Sequence, residues 1–185
     1  MKGSSILPSG NIHADLYGRC VAEGKCPARL MGWVILLQFV LMLMHPVDGW
    51  CVQPAVAGGM AYTIALKNNG TVWAWGHNND GQLGDDTATD RWTPVQVKGP
   101  GGIGFLDDVT AIAAGHDHTA ALKDDGTVWT WGKNHLGQLG DNTTEDRQSP
   151  VQVKGPGGTG FPDDVTDVAA GLDHTVALKD DGTVW

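Results

Sequence analysis

Residues 115–131 read GHDHTAALKDDGTVWTW, residues 171–185 read GLDHTVALKDDGTVW, and a looser copy, GMAYTIALKNNGTVWAW, occupies residues 59–75. Lys67, Lys123 and Lys179 share one position in this unit, and Trp73, Trp129 and Trp185 stand 56 residues apart without slip. Aligned on residues 114–169, residues 58–113 are about two-thirds identical, so the chain carries a tandem repeat. The third copy runs to Trp185, in mid-unit.

Each unit reads as short strands. Val109–Ala114 is apolar and is followed by Gly115; residues 119–122 form a second apolar run. Asp124, Asp125 and Gly126 then supply the residue types of a tight hairpin turn. Residues 127–131 alternate, with Val128 on one face and Thr127, Trp129 and Trp131 on the other. A polar loop over 132–149 leads to a β-branched run at 150–153, and 154–160 is a glycine-rich connector. Four short strands per unit predict an all-β protein of four-stranded antiparallel β-propeller blades. A parallel solenoid is the alternative, disfavoured by the Asp-Gly hairpins.

Composition agrees. Of 21 acidic residues in the 185-residue chain, only Glu23 and Glu145 are glutamate; aspartate bonds nearby backbone and favours turns over helix interiors. Twenty-seven glycines and eight tryptophans suit tight turns between strands. Residues 1–50 carry a net charge of +1, whereas 51–185 carry eight basic and eighteen acidic groups. A body of that sign lacks the basic patch that displaces phosphate counterions, so no nucleic-acid partner is expected.

The pattern Ile112-Ala-Ala-Gly115, His118-Thr119, Ala121-Leu122, Asp125-Gly126, Val128-Trp129, Trp131-Gly132, Asn134 and Gly137-Gln138-Leu139-Gly140 resembles the regulator-of-chromosome-condensation repeat. The resemblance covers residues 56–185 and implies blades of a seven-bladed β-propeller, with units lengthened by the glycine-rich connector as in bacterial members. It divides the chain into a leader (1–55), repeat 1 (56–111), repeat 2 (112–167) and an incomplete repeat 3 (168–185). The first copy departs at Tyr62, where the others have His118 and His174, and at Met60-Ala61 in place of His116-Asp117. Two and a third units do not close such a ring, so a fragment of a longer protein is expected.

The leader is a different object. Residues 30–44 are apolar and uncharged apart from the polar Gln38, preceded by Lys25 and Arg29 and ended by His45-Pro46. As a helix they would span about 22 Å, short of the roughly 30 Å hydrocarbon core. The order of a basic, an apolar and a polar stretch predicts a signal peptide or anchor, hence a secreted or cell-surface protein whose only membrane contact is this segment. Ala55-Val56-Ala57 offers an A-x-A processing site, but residues 56–59 also align with 112–115 and so read equally as a first strand. A buried apolar segment and a start of translation at Met31 are the further alternatives. Cys20, Cys26 and Cys51 all lie in the leader, without the C-x-x-C spacing of a zinc site.

No catalytic, cofactor or metal residue is assigned, and a non-enzymatic protein is expected. Residues 99–104 and 155–160 match G-x-G-x-x-G, yet each loop runs on into aspartates and a strand instead of a helix N-terminus. The Asp-Asp-Gly turns lack the alternate ligands and distal glutamate of an EF-hand. His116 and His118 alternate as ligands on one strand face do, but the second copy keeps only one of them, as His174. The tryptophan pairs read as blade-to-blade packing; a plant ultraviolet photoreceptor of this fold sets its signature tryptophans in a G-W-R-H-T context, whereas residues 115–119 here read GHDHT.

The copies differ most in the long loop, where binding residues are usually found. Arg91 and Trp92, with Asn79, Asp80, His135 and Leu136, are therefore the candidate contacts for an unknown protein partner. The resemblance implies action by surface contact, since family members include an exchange factor for a small nuclear GTPase and a secreted β-lactamase inhibitor. Guanine-nucleotide exchange, or service as the binding module of a larger cell-surface enzyme or adhesin, are the alternatives.

Overall fold

The computed structural model describes residues 52–185. The apolar run 30–44, the N-terminal helix expected there and the three cysteines lie outside the described residues. Ten strands follow one another: β1 (Ala55–Gly58), β2 (Tyr62–Leu66), β3 (Val72–Gly76), β4 (Arg91–Gln96), β5 (Val109–Ala114), β6 (His118–Lys123), β7 (Val128–Gly132), β8 (Arg147–Gln152), β9 (Val165–Ala170) and β10 (Thr175–Lys179). They form two four-stranded sheets, ordered β1-β2-β3-β4 and β5-β6-β7-β8, and a two-stranded sheet of β9 and β10. Every pairing is antiparallel, which is blade geometry and excludes the parallel solenoid. Among the described residues no helix is long and apolar enough to cross a membrane.

Hairpin chemistry sets the register. The Gly126 N–H donates to the Lys123 carbonyl, and of the three turn residues only Gly126 takes a positive φ, 78°. This is a turn closed by a left-handed glycine, so the two aspartates need no unusual backbone. Asp125 Oδ1 accepts from the Thr127 N–H and hydroxyl at 3.0 and 2.6 Å. Asn69 and Thr71, and Asp181 and Thr183, repeat the clasp.

The stretch Ala55-Val56-Ala57 is strand β1, paired from Ala55↔Leu66 to Gly58↔Thr63. Of its two sequence readings, the strand is the one the fold uses. The polar loop proves shorter than its composition implies, because β8 begins at Arg147 opposite Gly132. The repeat cuts at 111/112 and 167/168 fall inside β5 and β9, so counted by sheets the blades start at Ala55, Val109 and Val165.

The cores lie between blades. Along β2, Tyr62, Ile64 and Leu66 are buried; with Val72 and Ala74 of β3, and Leu83, Val97 and Leu106, they pack on Val109, Ala121 and Trp131 of the second blade. A second cluster joins Ala120, Leu122 and Val128 to Val165, Val168 and Ala177 of the third. Ala121 thus serves one core and its neighbours Ala120 and Leu122 the other, as the two-residue period of a strand dictates. The outer strands β4 and β8 carry Pro94 and Pro150, which have no N–H to offer a further strand.

Gly132 sits where the β7–β8 register shifts. Its φ is 103°, and a Cβ there would stand 2.5 Å from the Asp117 carbonyl and 2.8 Å from His118 Cα. At Gly137, φ is 79° but a Cβ would meet nothing within 4 Å. Gly132→Ala is therefore expected to lower the urea unfolding midpoint by the equivalent of more than about 1 kcal/mol, and Gly137→Ala by less. Equal shifts would show that conformational strain, not the close approach, selects glycine here.

Candidate functional site

The long loop after β7 is built around one side chain. Asn134 is fully buried, and its Nδ2 donates to Asp141 Oδ1 (3.0 Å) and to the Thr143 and Glu145 carbonyls (3.2 and 3.0 Å). Its Oδ1 accepts from the Leu139 N–H at 3.0 Å, as Asn78 Oδ1 does from the Leu83 N–H at 2.9 Å. The Asn134 N–H itself reaches Asp146 Oδ1 at 2.7 Å. Arg147 closes the far end, with Nε 2.8 Å and Nη2 2.7 Å from Asp141 Oδ2. Burial alone would raise the Asp141 carboxyl, yet the bonds from Thr143, Arg147 and Asn134 hold it below its ordinary value. Asn78, Asp85, Thr87 and Arg91 repeat the arrangement in the first blade.

This changes the reading of Arg91. Its Nε lies 2.6 Å from the buried Asp85 carboxylate and its Nη2 3.3 Å from Thr87 Oγ1, so the guanidinium braces its own loop while 35% of the side chain stays exposed. Asp80 is half-buried, its N–H capped by Gln82 Oε1 at 3.0 Å. His135 is exposed and 3.3 Å from Asp146 Oδ2. Asn79 is exposed, and Leu136 and Trp92 are 73% and 89% exposed. Asn79 and Asp80 follow β3 directly, and Arg91 pairs with Gly76, so the first blade's four candidates gather at one blade end; His135 and Leu136 occupy the same place on the second. Trp92 occupies in β4 the position that Gln148 has in β8, where the Gln148 carbonyl accepts the Asp86 N–H from the preceding blade's loop.

Blades are joined through Gln82. Its carbonyl accepts both the Trp131 indole N–H and the Thr119 hydroxyl of the second blade, each at 2.9 Å. In return the Tyr62 hydroxyl donates to the His118 carbonyl. Burial pushes the Tyr62 phenol up. At the next joint the Thr175 hydroxyl donates to the Gln138 carbonyl at 2.8 Å, and His118 Nε2 lies 3.1 Å from Thr175 Oγ1. Trp131 is fully buried in the blade-to-blade core, whereas its counterpart Trp75 in the first blade is half-buried; an indole placed as Trp131 is worth on the order of 3–5 kcal/mol over alanine. The first tryptophan of each pair is half-buried, and Lys67 Nζ lies 3.9 Å from the Trp73 ring centroid. Sequence reasoning missed Tyr62 and Gln82, because a main-chain acceptor leaves no residue signature and a Tyr-for-His exchange looks like drift.

The two histidines that alternate in sequence part company. His118 is wholly enclosed in β6, while His116 lies in the preceding turn with Nδ1 2.7 Å from Asp117 Oδ2. The G-x-G-x-x-G loops hold only 3-10 turns at Pro100–Gly102 and Pro156–Gly158, and Lys98 and Lys154 lie over Phe105 and Phe161. Neither loop presents a helix N-terminus.

The family model of the Regulator of chromosome condensation (RCC1) repeat matches residues 69–122 and 125–178, more than half of the chain. A second model of the same repeat matches 55–82 and 109–138. The chain belongs to the RCC1 repeat family. It is 38% identical over 123 residues to the Probable E3 ubiquitin-protein ligase HERC3 of Homo sapiens, covering 66% of this chain and 11% of that protein. Over 182 residues it is 36% identical to the Regulator of chromosome condensation of Mus musculus, covering 97% of this chain and 37% of the relative. The Ultraviolet-B receptor UVR8 of Arabidopsis thaliana is 34% identical over 71% of this chain and 28% of its own. The chain thus spans between about a tenth and just over a third of these relatives. Among solved structures, human WBSCR16 superposes with a TM-score of 0.59 at 26% identity, over 76% of this chain and 33% of that one. Prp20p of Saccharomyces cerevisiae, in a structure titled for its binding properties to Gsp1p and histones, gives 0.53 at 27%, over 70% and 29%.

Burial, partly offset by a bond to the His174 backbone, pulls His118 below the ordinary histidine value of 6.5. The unfolded chain therefore binds this proton more readily, so the contribution is complete above pH 6.5 and is lost as pH falls below it. The urea midpoint is expected to drop between about pH 7.5 and pH 5.5, and His118→Tyr, which installs the residue the first blade carries as Tyr62, to flatten that part of the drop. An identical pH slope in the variant would remove His118 as its source.

Proposed function

We propose that this chain is a non-enzymatic propeller region that binds a protein partner through the blade end carrying the long loops. One observation carries the reading. Buried Asn78 and Asp85, and Asn134 and Asp141, brace those loops from within, while Trp92 and Leu136, both large and apolar, face solvent at that end. Exposed aromatic anchors beside polar, well-braced backbone are what a binding hot spot is made of. The balance of eighteen acidic to eight basic groups over 51–185 favours a partner of basic character. A yeast relative whose structure is titled for binding histones supports the same class. Guanine-nucleotide exchange on a small GTPase is the second reading, supported by the likeness to the mouse Regulator of chromosome condensation. The array is further read as part of a longer, exported protein in which other blades complete the ring, free-standing or as the module of a larger cell-surface protein.

With core histones as the basic probe, the immobilised chain is expected to retain them, and Trp92→Ala with Leu136→Ala to weaken retention by about tenfold, equivalent to about 1.4 kcal/mol. Retention unchanged by the pair would remove the loop end as the contact surface. Export has its own test. Fused to alkaline phosphatase, the chain is expected to yield active enzyme outside the cytoplasm, and deletion of residues 25–44 to abolish it; an inactive fusion rules export out.

A further inference from the structure

Asn69-Gly70 is the one Asn-Gly pair in the chain, and it lies at the tip of the β2–β3 hairpin. The corresponding pairs in the other copies, Asp125-Gly126 and Asp181-Gly182, already carry the acid. We propose that Asn69 is a site of spontaneous deamidation that the joint between the first two blades holds shut. The chemistry needs only water. The Gly70 backbone nitrogen loses its proton and attacks Asn69 Cγ; the new C–N bond forms as the Cγ–Nδ2 bond breaks and ammonia leaves. Water then opens the cyclic imide at one of its two carbonyls, giving aspartate or isoaspartate. Glycine favours the attack because no side chain shields its nitrogen.

Both reacting groups are held in the folded chain. The Gly70 N–H donates to the Lys67 carbonyl at 3.0 Å, and Asn69 Oδ1 accepts from the Thr71 hydroxyl at 2.7 Å. The second blade seals the turn. Its Val109 N–H donates to the Gly70 carbonyl at 3.2 Å, and a Cβ on Gly70 would stand 3.2 Å from the Asp108 nitrogen. Gly70 is buried although Asn69 is exposed. The attack requires this peptide to rotate, and rotation requires the hairpin tip to leave the second blade. Deamidation at Asn69 is thus an irreversible record of opening at that joint. The two products have different fates. Aspartate at 69 takes the place that Asp125 and Asp181 fill, with the same Thr clasp. Isoaspartate adds a backbone carbon and cannot close the Lys67–Gly70 turn.

Peptide mapping by mass spectrometry of the full chain in mildly alkaline buffer tests the proposal. In denaturant, Asn69 is expected to convert faster than every other asparagine, Asn142 included. In the native chain the rate is expected to fall by about tenfold or more, and to climb in sub-denaturing urea before global unfolding. Trp131→Phe, which removes the indole bond to Gln82, is expected to fall between the native and denatured rates; the urea series answers the same question without a variant. Asn69→Asp is expected to leave the unfolding midpoint unchanged. Native conversion as fast as denatured, no rise in sub-denaturing urea, or conversion led by another asparagine would each overturn the proposal.

Discussion

Among the described residues no blade encloses a core of its own, so the two donors that meet at the Gln82 carbonyl are the constraint on which the rest depends. A four-stranded sheet of some forty residues has two faces and can bury neither by itself. The Trp131 indole fills the joint and, through one hydrogen bond, fixes how far the second blade slides along the first. The Thr119 hydroxyl makes the same acceptor bifurcated, so a shift of one residue in either sheet would leave two buried donors unmatched. Specificity of docking therefore comes from polar atoms within an otherwise apolar contact.

The same economy governs the long loops. A loop of this length would be mobile if its backbone groups were left to water. Asn78 and Asn134 instead act as internal frames, each amide satisfying several main-chain groups across its loop. The carboxylates of Asp85 and Asp141 complete the frames by binding Arg91 and Arg147. The side chains that build these frames are the same in both copies, and variation falls on others, such as Asn79, Leu136 and Trp92. A braced loop with a free tip presents its outer side chains at low conformational cost, which is what makes it suited to recognition.

Much of the fold is legible in the chain. Val109–Ala114 shows its observed ends in the sequence because an apolar β-branched run bounded by glycine has few alternatives. The Asp-Asp-Gly hairpins are legible for a similar local reason. Less visible are the start of β8, where Arg147 pairs with Asp141, and the pairing of Arg91 with Asp85 of its own loop. Both depend on a partner six residues away across a loop, and no period reports that.

Sequence by itself determined the repeat, its 56-residue length, the antiparallel strands and the acidic balance of the body, because each rests on residue identity or on spacing along the chain. Tertiary structure alone decided that Trp131 is enclosed while Trp73, Trp75 and Trp129 are only half-buried, why a tyrosine serves where the other copies have histidine, and which loop residues remain free. Those outcomes turn on main-chain acceptors of a neighbouring blade, and a carbonyl oxygen is the same atom in every residue until the fold brings a donor to it.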